Sequence, residues 1–540
     1  MQSEEYRKFS KELKDNLSRL QSKRQTWESH WQEVSDYMLP RKSDVNRERS
    51  KGDKRNVQIY DSTAVHSLEL LASSLHGMLT SQANRWFELR YKEAALNDLD
   101  EAKEWLEDSM EKMYVAFARS NFQQEIFENY HDLIAFGTSC LYIEKDVDDI
   151  IRFSARHIKE IYITENDKGL VDTIYRKFKM TAKACFDMFG KDNLSRDILV
   201  KYQKAPFDDV ELVHVVKPRE TYNPKKLDKQ NMPFQSVYME FQTGHIISLG
   251  GFREFPYVVP RYLKASNEIY GRSPGMNSLP DVKVLNKMVE VSLRAAQKQV
   301  DPPLLVPDDA MMLPIRTAPG SLNYYRSGSR DRIEPLQIGA NNPLGLNMED
   351  QRRSSISRTF HVDQLLIQEN RTMTATEVMQ RNQEKMRILG PVIGRLQQEL
   401  LQPLIIRVFN IMLRDKQFLS APDILTNQEI DIEYVSPVAI AQKGSQIEGI
   451  MRGLELFGSI SQIAPVTDYI DENGLVKQII NLLGLPAKMI KSDKEVQELR
   501  AVRQEQQAAQ AQMQMEMMQS EQAKNAAPLV QALNGQQQTR

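Results

Sequence analysis

Leu68, Leu71, Leu75 and Leu79 recur at three- and four-residue steps through STAVHSLELLASSLHGMLTSQ (62–82), the spacing that lays one apolar stripe along a helix. The same period runs through the first 40 residues, where charged positions alternate with apolar ones until Pro40 stops the pattern, and it returns at 98–119 and 122–137. Between about 139 and 265 the texture changes to short apolar or alternating runs, "CLYIEKD", "IIRFSARHI", "LVDTIYRKFKM", "VELVHVV" and "SVYMEFQ". These predict the strands of an α+β unit, interrupted by short helices near 181–190 and 193–203.

A helix follows at 279–300, LPDVKVLNKMVEVSLRAAQKQV, and it is apolar on two sides. Val282, Leu285, Val289 and Leu293 form one stripe; Val284, Met288, Val291 and Ala295 form its neighbour. A helix covered on two faces has two neighbours in its own chain or copies of itself on either side. After Asp301-Pro302-Pro303 the chain is punctuated by Pro and Gly to about 345, which suits a small β-rich excursion with turns at "APGS" and "RSGS". A helix returns at 346–360, so this part reads as a stalk with a tip.

The stretch from 374 carries two conflicting signals. Thr374 and Glu377 form a capping box, and Met379, Met386, Leu389, Ile393, Leu396, Leu400, Leu404, Val408 and Ile411 hold helical spacing. At 1.5 Å per residue the run would span about 60 Å. Yet Gly390, Pro391 and Pro403 interrupt it; each proline lacks an N–H and strikes the preceding turn, at Arg387 and Glu399, so two bends are expected in one continuous element. A short strand is predicted at 429–435, helices near 438–463 and 473–484, and a long exposed helix fraying into disorder over the Gln-, Ala- and Met-rich last fifty residues.

Composition narrows the class. The chain has 540 residues, 41% hydrophobic and 27% charged, enough for a large core and more than one structural unit. Its net charge of -2 argues against tight phosphate neutralisation along nucleic acid, though not against a protein that lets DNA slide past. Cys140 and Cys185 are its only cysteines, which leaves no disulfide framework and no cysteine-based metal cluster. The first twenty residues read as a charged helix rather than a signal peptide, and no run reaches the roughly 18 apolar residues of a membrane span. A soluble intracellular or assembly protein is expected.

Catalytic and cofactor motifs are sparse. There is no phosphate-cradling loop, no H-E-x-x-H, no C-x-x-C and no EF-hand loop, so neither a cofactor nor a metal is expected. His131 and His214 lie in apolar patterns and read as core residues. "GRSPG" (271–275) fits the G-x-S-x-G of a nucleophile elbow, which would make Ser273 a hydrolase nucleophile, but the residue that should donate a backbone N–H to an oxyanion is Pro274. A turn entering the stalk helix is the better account. The acidic clusters "DVDDI" (146–150) and "DPPLLVPDD" (301–309) read as solvated loops. No enzyme is expected.

Five stretches, in this order, resemble the portal (head-to-tail connector) proteins of short-tailed, podovirus-type bacteriophages: "SDYMLP" (35–40), "LELLASSLHGMLTSQANRWFELR" (68–90), "LIAFGTSCLYIE" (133–144), "EFPYVVPRYLKASNEIYGRS" (254–273) and "TMTATEVMQRNQEKMRILGPVIGRLQQELLQPLIIRVFNIML" (372–413). The resemblance covers roughly residues 20–500. It implies a ring of about twelve subunits around a channel for double-stranded DNA at one capsid vertex. It divides the chain into a wing (1–278), stem helices at 279–300 and 346–360, a clip (301–345), a tunnel loop (361–373), a long kinked wing helix with the following strand (374–436), a crown (437–500) and a tail (501–540).

The implied partners are copies of the chain, passing DNA, a terminase motor, tail adaptor or tube proteins, and the major capsid and scaffolding proteins. The implied location is the virion, after synthesis in the host cytoplasm. Ring symmetry turns one cation per subunit into a belt, and DNA carries a charge about every 1.7 Å, so sparse belts pass it where a strongly basic lumen would hold it. Candidate belt residues are Lys287, Arg294, Lys298, Arg352, Arg353 and Arg358; Gln364, Gln368, Asn370 and Arg371 would meet DNA from the tunnel loop. Tyr324, Tyr325, Arg326, Arg330 and Arg332 form an aromatic and basic cluster suited to docking motor and adaptors. A non-channel scaffold or adaptor of virion assembly is the alternative.

Overall fold

A computed structural model describes residues 4–50, 52–55, 59–93, 96–97, 99–146, 148–223, 225–226, 228–305, 334–335, 343–365, 387–422, 430–434, 447, 449–456, 474–476, 478–479 and 493–535. The chain divides into two compact units. One comprises Met1–Glu88, Glu111–Phe418 and Ile432–Ala441; the other comprises Leu89–Met110, Leu419–Asp431 and Gln442–Arg540.

The elements begin with α1 (Glu4–Met38), α2 (Thr63–Leu79), β1 (Phe87–Tyr91), α3 (Asp100–Arg119) and α4 (Phe122–Phe136). Strands β2 (Leu141–Lys145), β3 (Ile151–Ala155), β4 (Ile161–Glu165) and β5 (Val171–Thr181) follow, then α5 (Ala182–Phe189), α6 (Arg196–Lys204), β6 (Asp209–Pro218), β7 (Phe234–Glu240), β8 (Ile246–Phe252) and β9 (Tyr257–Val258). Next come α7 (Pro274–Val300), β10 (Leu304–Leu305), β11 (Glu334–Pro335), α8 (Pro343–Thr359), α9 (Val362–Leu365), a helical run α10 at 387–396, α11 (Gln402–Arg414) and β12 (Ile430–Tyr434). A last helix spans Asp493–Gly535 and passes through Pro528.

The stripe on α2 is buried as its spacing requires: Leu68, Leu71, Leu75 and Leu79 are each at most 1% exposed. Strands β4 to β8 form one antiparallel meander in sequence order, and β2 pairs with β3 on one side and β9 on the other. The period of two in "VELVHVV" sorts its residues between layers. Val213 and Val215 face Leu13 and Leu17 of α1, while Val210 and Leu212 face Ala182, Cys185 and Ile198 of α5 and α6. The meander is thus a sheet between helices.

Sequence periodicity passed over β1, β4, β8 and β9. β8 (IISLGGF) lacks clean alternation because Gly251 sits where a Cβ would fall 2.4 Å from the Lys229 carbonyl oxygen, so close chain approach, not apolar pattern, sets that residue. The long helix α1 docks through its polar residues too. Arg24, 2% exposed, donates to the carbonyls of Ile158 (2.9 Å), Lys159 (2.8 Å) and Ile161 (2.5 Å), and its guanidinium lies 3.6 Å from the Tyr162 ring centroid. Trp31 donates its indole N–H to the Phe136 carbonyl at 3.0 Å.

Candidate functional site

The helical pair α7–α8 begins at a tightly built root. Ser273, fully buried, accepts the Met276 amide at 3.0 Å as N-cap and donates its hydroxyl to the Ala135 carbonyl at 2.8 Å, with Pro274 in the first turn. The "GRSPG" segment is therefore a helix start, five residues earlier than its pattern suggested, and both capacities of the serine hydroxyl are engaged. Pro280 is held inside α7. Gly137 ends α4 in the left-handed region (φ +77°), and a Cβ there would fall 2.2 Å from the Gly271 carbonyl oxygen. Only a chain without side chains at both positions lets α4 meet the start of α7 this closely.

From this root the helix emerges. Val282 and Leu285 are 1% exposed, whereas Val284, Val291 and Leu293 are 47%, 54% and 49% exposed. Asn286 marks the transition: its side-chain oxygen accepts the amides of Tyr60 (2.7 Å) and Asp61 (3.2 Å), and its amide donates to the Val282 carbonyl at 2.9 Å. Polar bonds join α7 to α8. Arg352 pairs with Asp281 at 2.7 Å, Ser355 donates to Asp281 at 2.8 Å, and Ser292 donates to Glu349 at 2.7 Å.

The candidate basic residues fall into two groups. Arg353 pairs with Asp61 at 2.9 Å, and Glu290 takes both Lys287 (3.0 Å) and Arg294 (2.6 Å), so these cations and Arg352 are met by carboxylates of their own chain. Burial pushes the Asp61 carboxyl upward, but hydrogen bonds from Thr63 and Arg353 outweigh it and hold its pKa below the ordinary value. Lys298 and Arg358 are exposed and have no ion pair among the described residues. Gln364 is exposed on the single turn of α9, after His361 at φ +59°. Gln368, Asn370 and Arg371 lie outside the described residues, as do Tyr324, Tyr325, Arg326, Arg330 and Arg332. The base of that segment is seen in the β10–β11 pair, with Leu304 opposite Pro335 and Leu305 opposite Glu334.

Gly390 and Pro391 lie within helical α10, and a Cβ on Gly390 would meet nothing within 4 Å. The irregularity comes just before Pro403, where Gln397–Leu401 form a π-turn and the Gln402 amide bonds to the Gln397 carbonyl. The extra residue widens the turn around the Glu399 carbonyl that the proline ring would otherwise strike. The helix accommodates the proline by widening instead of stopping. The first half of this run, 374–386, lies outside the described residues.

A buried charge junction at this π-turn was not anticipated. Arg261, 1% exposed, donates from its backbone and Nε to Glu399 (both 3.0 Å), from Nη2 to Glu399 (2.8 Å) and the Gly169 carbonyl (2.9 Å), and from Nη1 to Glu165. Lys264 pairs with Glu165 at 2.7 Å, and Arg395 with Glu399 at 3.1 Å. One guanidinium thus ties the end of β4, the turn before β5, the segment after β9 and the π-turn. Its only sequence trace is a lone charge in "YVVPRYL" and a lone carboxylate among Leu396, Leu400 and Leu404. A second arginine on the same run, Arg407 (5% exposed), pairs with Glu254 at 2.8 Å; burial lowers its pKa against the pull of that carboxylate.

His131 and His214 are core residues. His214 lies 2.7 Å from the Tyr257 hydroxyl and 2.9 Å from Ser236 Oγ, stacked on Tyr238 at a 3.9 Å centroid separation. Burial holds it well below its ordinary pKa, and Arg176 and Arg156 push the same way. Among the described residues no group of three or more His, Cys, Asp or Glu is placed to hold a metal ion, and no helix is long and apolar enough to cross a membrane.

Comparison with known proteins bears on the whole of this arrangement. The chain is 31% identical over 501 residues to the probable portal protein of Bordetella phage BPP-1, covering 91% of this chain and 90% of that one. It is also 31% identical over 506 residues to the portal protein of Salmonella phage epsilon15, with the same two coverages. A family model described as "Bacteriophage head to tail connecting protein" matches residues 10–490, from early in α1 to the approach of the last helix. With α7–α8, the meander and the π-turned helix all inside that match, the chain belongs to the bacteriophage head to tail connecting protein family.

Proposed function

We propose that copies of this chain close into a ring of about twelve around a channel for double-stranded DNA, at one vertex of the capsid. The chain has a portal role in the phage capsid, and packaging and ejection of DNA follow from it. In the proposed ring, α7 and α8 are the stem, the segment between them is the clip, residues 361–373 the tunnel loop and 437–500 the crown, with 1–278 and 374–436 in the wing and 501–540 as a tail. The clip docks the terminase motor during filling and tail adaptors afterwards, and the outer parts meet capsid and scaffolding proteins.

The observation that supports this best is the outer half of α7. Its apolar residues Val291 and Leu293, like Val284 just before Asn286, remain about half exposed in a single chain although α8 already packs on the helix. A neighbouring copy on the second side would cover them. The same helices account for a channel that does not grip. Four of the six candidate belt cations carry their own carboxylate partners, leaving Lys298 and Arg358 as the stronger candidates for belts that touch passing phosphates.

A rotationally averaged top view of the purified protein tests the ring: a central hole with a fixed number of lobes is expected, and monomers at every protein and salt concentration would remove it. A non-channel scaffold would give particles without that symmetry. Deleting 364–371 is expected to leave rings intact while impairing packaging or retention of DNA; unchanged packaging and retention would take the loop out of the mechanism.

A further inference from the structure

A cavity of about 490 Å³ opens between the first half of α1 and the turn joining β7 to β8, lined by Arg7, Ser10, Lys11, Lys14, Thr243, Gly244 and His245. Arg7, Lys11 and Lys14 stand at i, i+4 and i+7, on one face of the helix. Like charges at that spacing repel along a helix, and none of the three has an ion pair among the described residues. Of the acids on this stretch of α1, Glu4 pairs with Lys8 and Glu12 with Lys217, while Glu5 and Asp15 have no ion pair among the described residues. Across the cavity the polar groups are already committed. Thr243 donates to Glu240, Lys14 donates to the Gln242 carbonyl at 3.0 Å, and His245 Nε2 lies 3.0 Å from the Asn193 carbonyl. The turn is held against the helix at Gly244, whose φ of +74° and lack of Cβ admit Ser10 Oγ at close range. The result is a shaped concavity carrying a positive stripe whose cations are not ion-paired among the described residues.

We propose that this cavity is a docking site for an acidic segment of a protein partner. The spacing of the cations selects the occupant. Arg7 to Lys14 spans about 10 Å of helix axis, too long for one phosphate to reach both ends. Carboxylates on the same side of an extended segment repeat at about 6.6–6.8 Å, so two or three of them match the stripe. The volume lies in the range that accepts a few side chains, and a double helix could touch only its rim. This inference does not rest on the ring: the cavity is formed within one chain.

The test uses the full-length protein in whatever assembly it forms, with a fluorescein-labelled hexaglutamate peptide as probe and hexaglutamine as control. Binding of hexaglutamate that weakens with salt is expected, with hexaglutamine at least tenfold weaker. The double variant Arg7→Gln, Lys11→Gln should weaken hexaglutamate at least tenfold while its melting temperature stays equal or rises, because a like-charge pair is gone. Equal binding of both peptides, or hexaglutamate binding unchanged in the variant, would overturn the proposal. So would a fall in melting temperature, which would make the stripe structural. Pyrophosphate or a twenty-base-pair duplex competing at lower concentration than hexaglutamate would overturn it too, in favour of a phosphate ligand.

Discussion

The root of α7 and the outer half of the same helix obey different rules. At the root, Met276, Leu279, Val282 and Leu285 are buried, Ser273 spends its hydroxyl on two backbone groups, and each contact comes from this chain. Beyond Asn286 the residues keep the same apolar spacing, yet Val291 and Leu293 stand in solvent and the charges pair along the surface. One helix thus has two regimes: its first half is packed into its own fold, and its second keeps apolar spacing while a single chain leaves it half exposed. The buried Arg261 junction belongs with the root in this contrast, and the Glu290 pairs belong with the shaft.

The contrast can be broken by substitution. Arg261→Met leaves Glu399 and part of Glu165 buried without their cation, and is expected to lower stability by about 4 kcal/mol in urea unfolding; a loss under about 1 kcal/mol would mean the junction is dispensable. Leu285→Ala should cost about 3 kcal/mol by the same measurement, as a cavity forms in packed surroundings. Leu293→Asn, two turns on, is expected to leave the unfolding midpoint unchanged and to shift the protein toward smaller species in mass photometry. Equal destabilisation by the two leucine substitutions would erase the distinction between root and shaft.

pH adds a smaller effect. His214 has its folded pKa pushed below the ordinary 6.5, so the unfolded chain binds the extra proton first. Its contribution is fully present above pH 6.5 and declines as pH falls below it, by at most about 1.4 kcal/mol per pH unit for one group. His214→Asn should flatten the dependence of melting temperature on pH between about 6.5 and 5. Smallest of all, Glu290→Gln removes the partner of two solvent-exposed cations, Lys287 and Arg294, and should leave the urea midpoint where it was.

What could be read from the chain follows from how each element is specified. α2 was legible because four leucines at helical spacing all face one core, and the strands of "VELVHVV" and "SVYMEFQ" because alternation sorts them between α1 and α5–α6. The two-sided pattern on α7 was legible for the same reason, and its outer half stays partly uncovered in one chain. The helix start was misplaced because PGMNSLP has the composition of a turn, although Ser273 before Pro274 is a start signal. The π-turn was invisible, since one inserted residue leaves the spacing of Leu396, Leu400 and Leu404 intact. The Arg261 junction was invisible for a different reason: its partners lie 96 and 138 residues away, and charge pairing over such distances leaves no periodic mark.

The contact between Gly137 and Gly271 has a mechanical consequence. Because backbone meets backbone there, the approach to α7 has no side chain to compress or slide at that contact, and together with the packed root it is expected to act as a clamped end. A lateral force on the far end of α7–α8 is then carried as bending, as in a cantilever, and the first bonds to feel it are those by which Asn286 holds the amides of Tyr60 and Asp61.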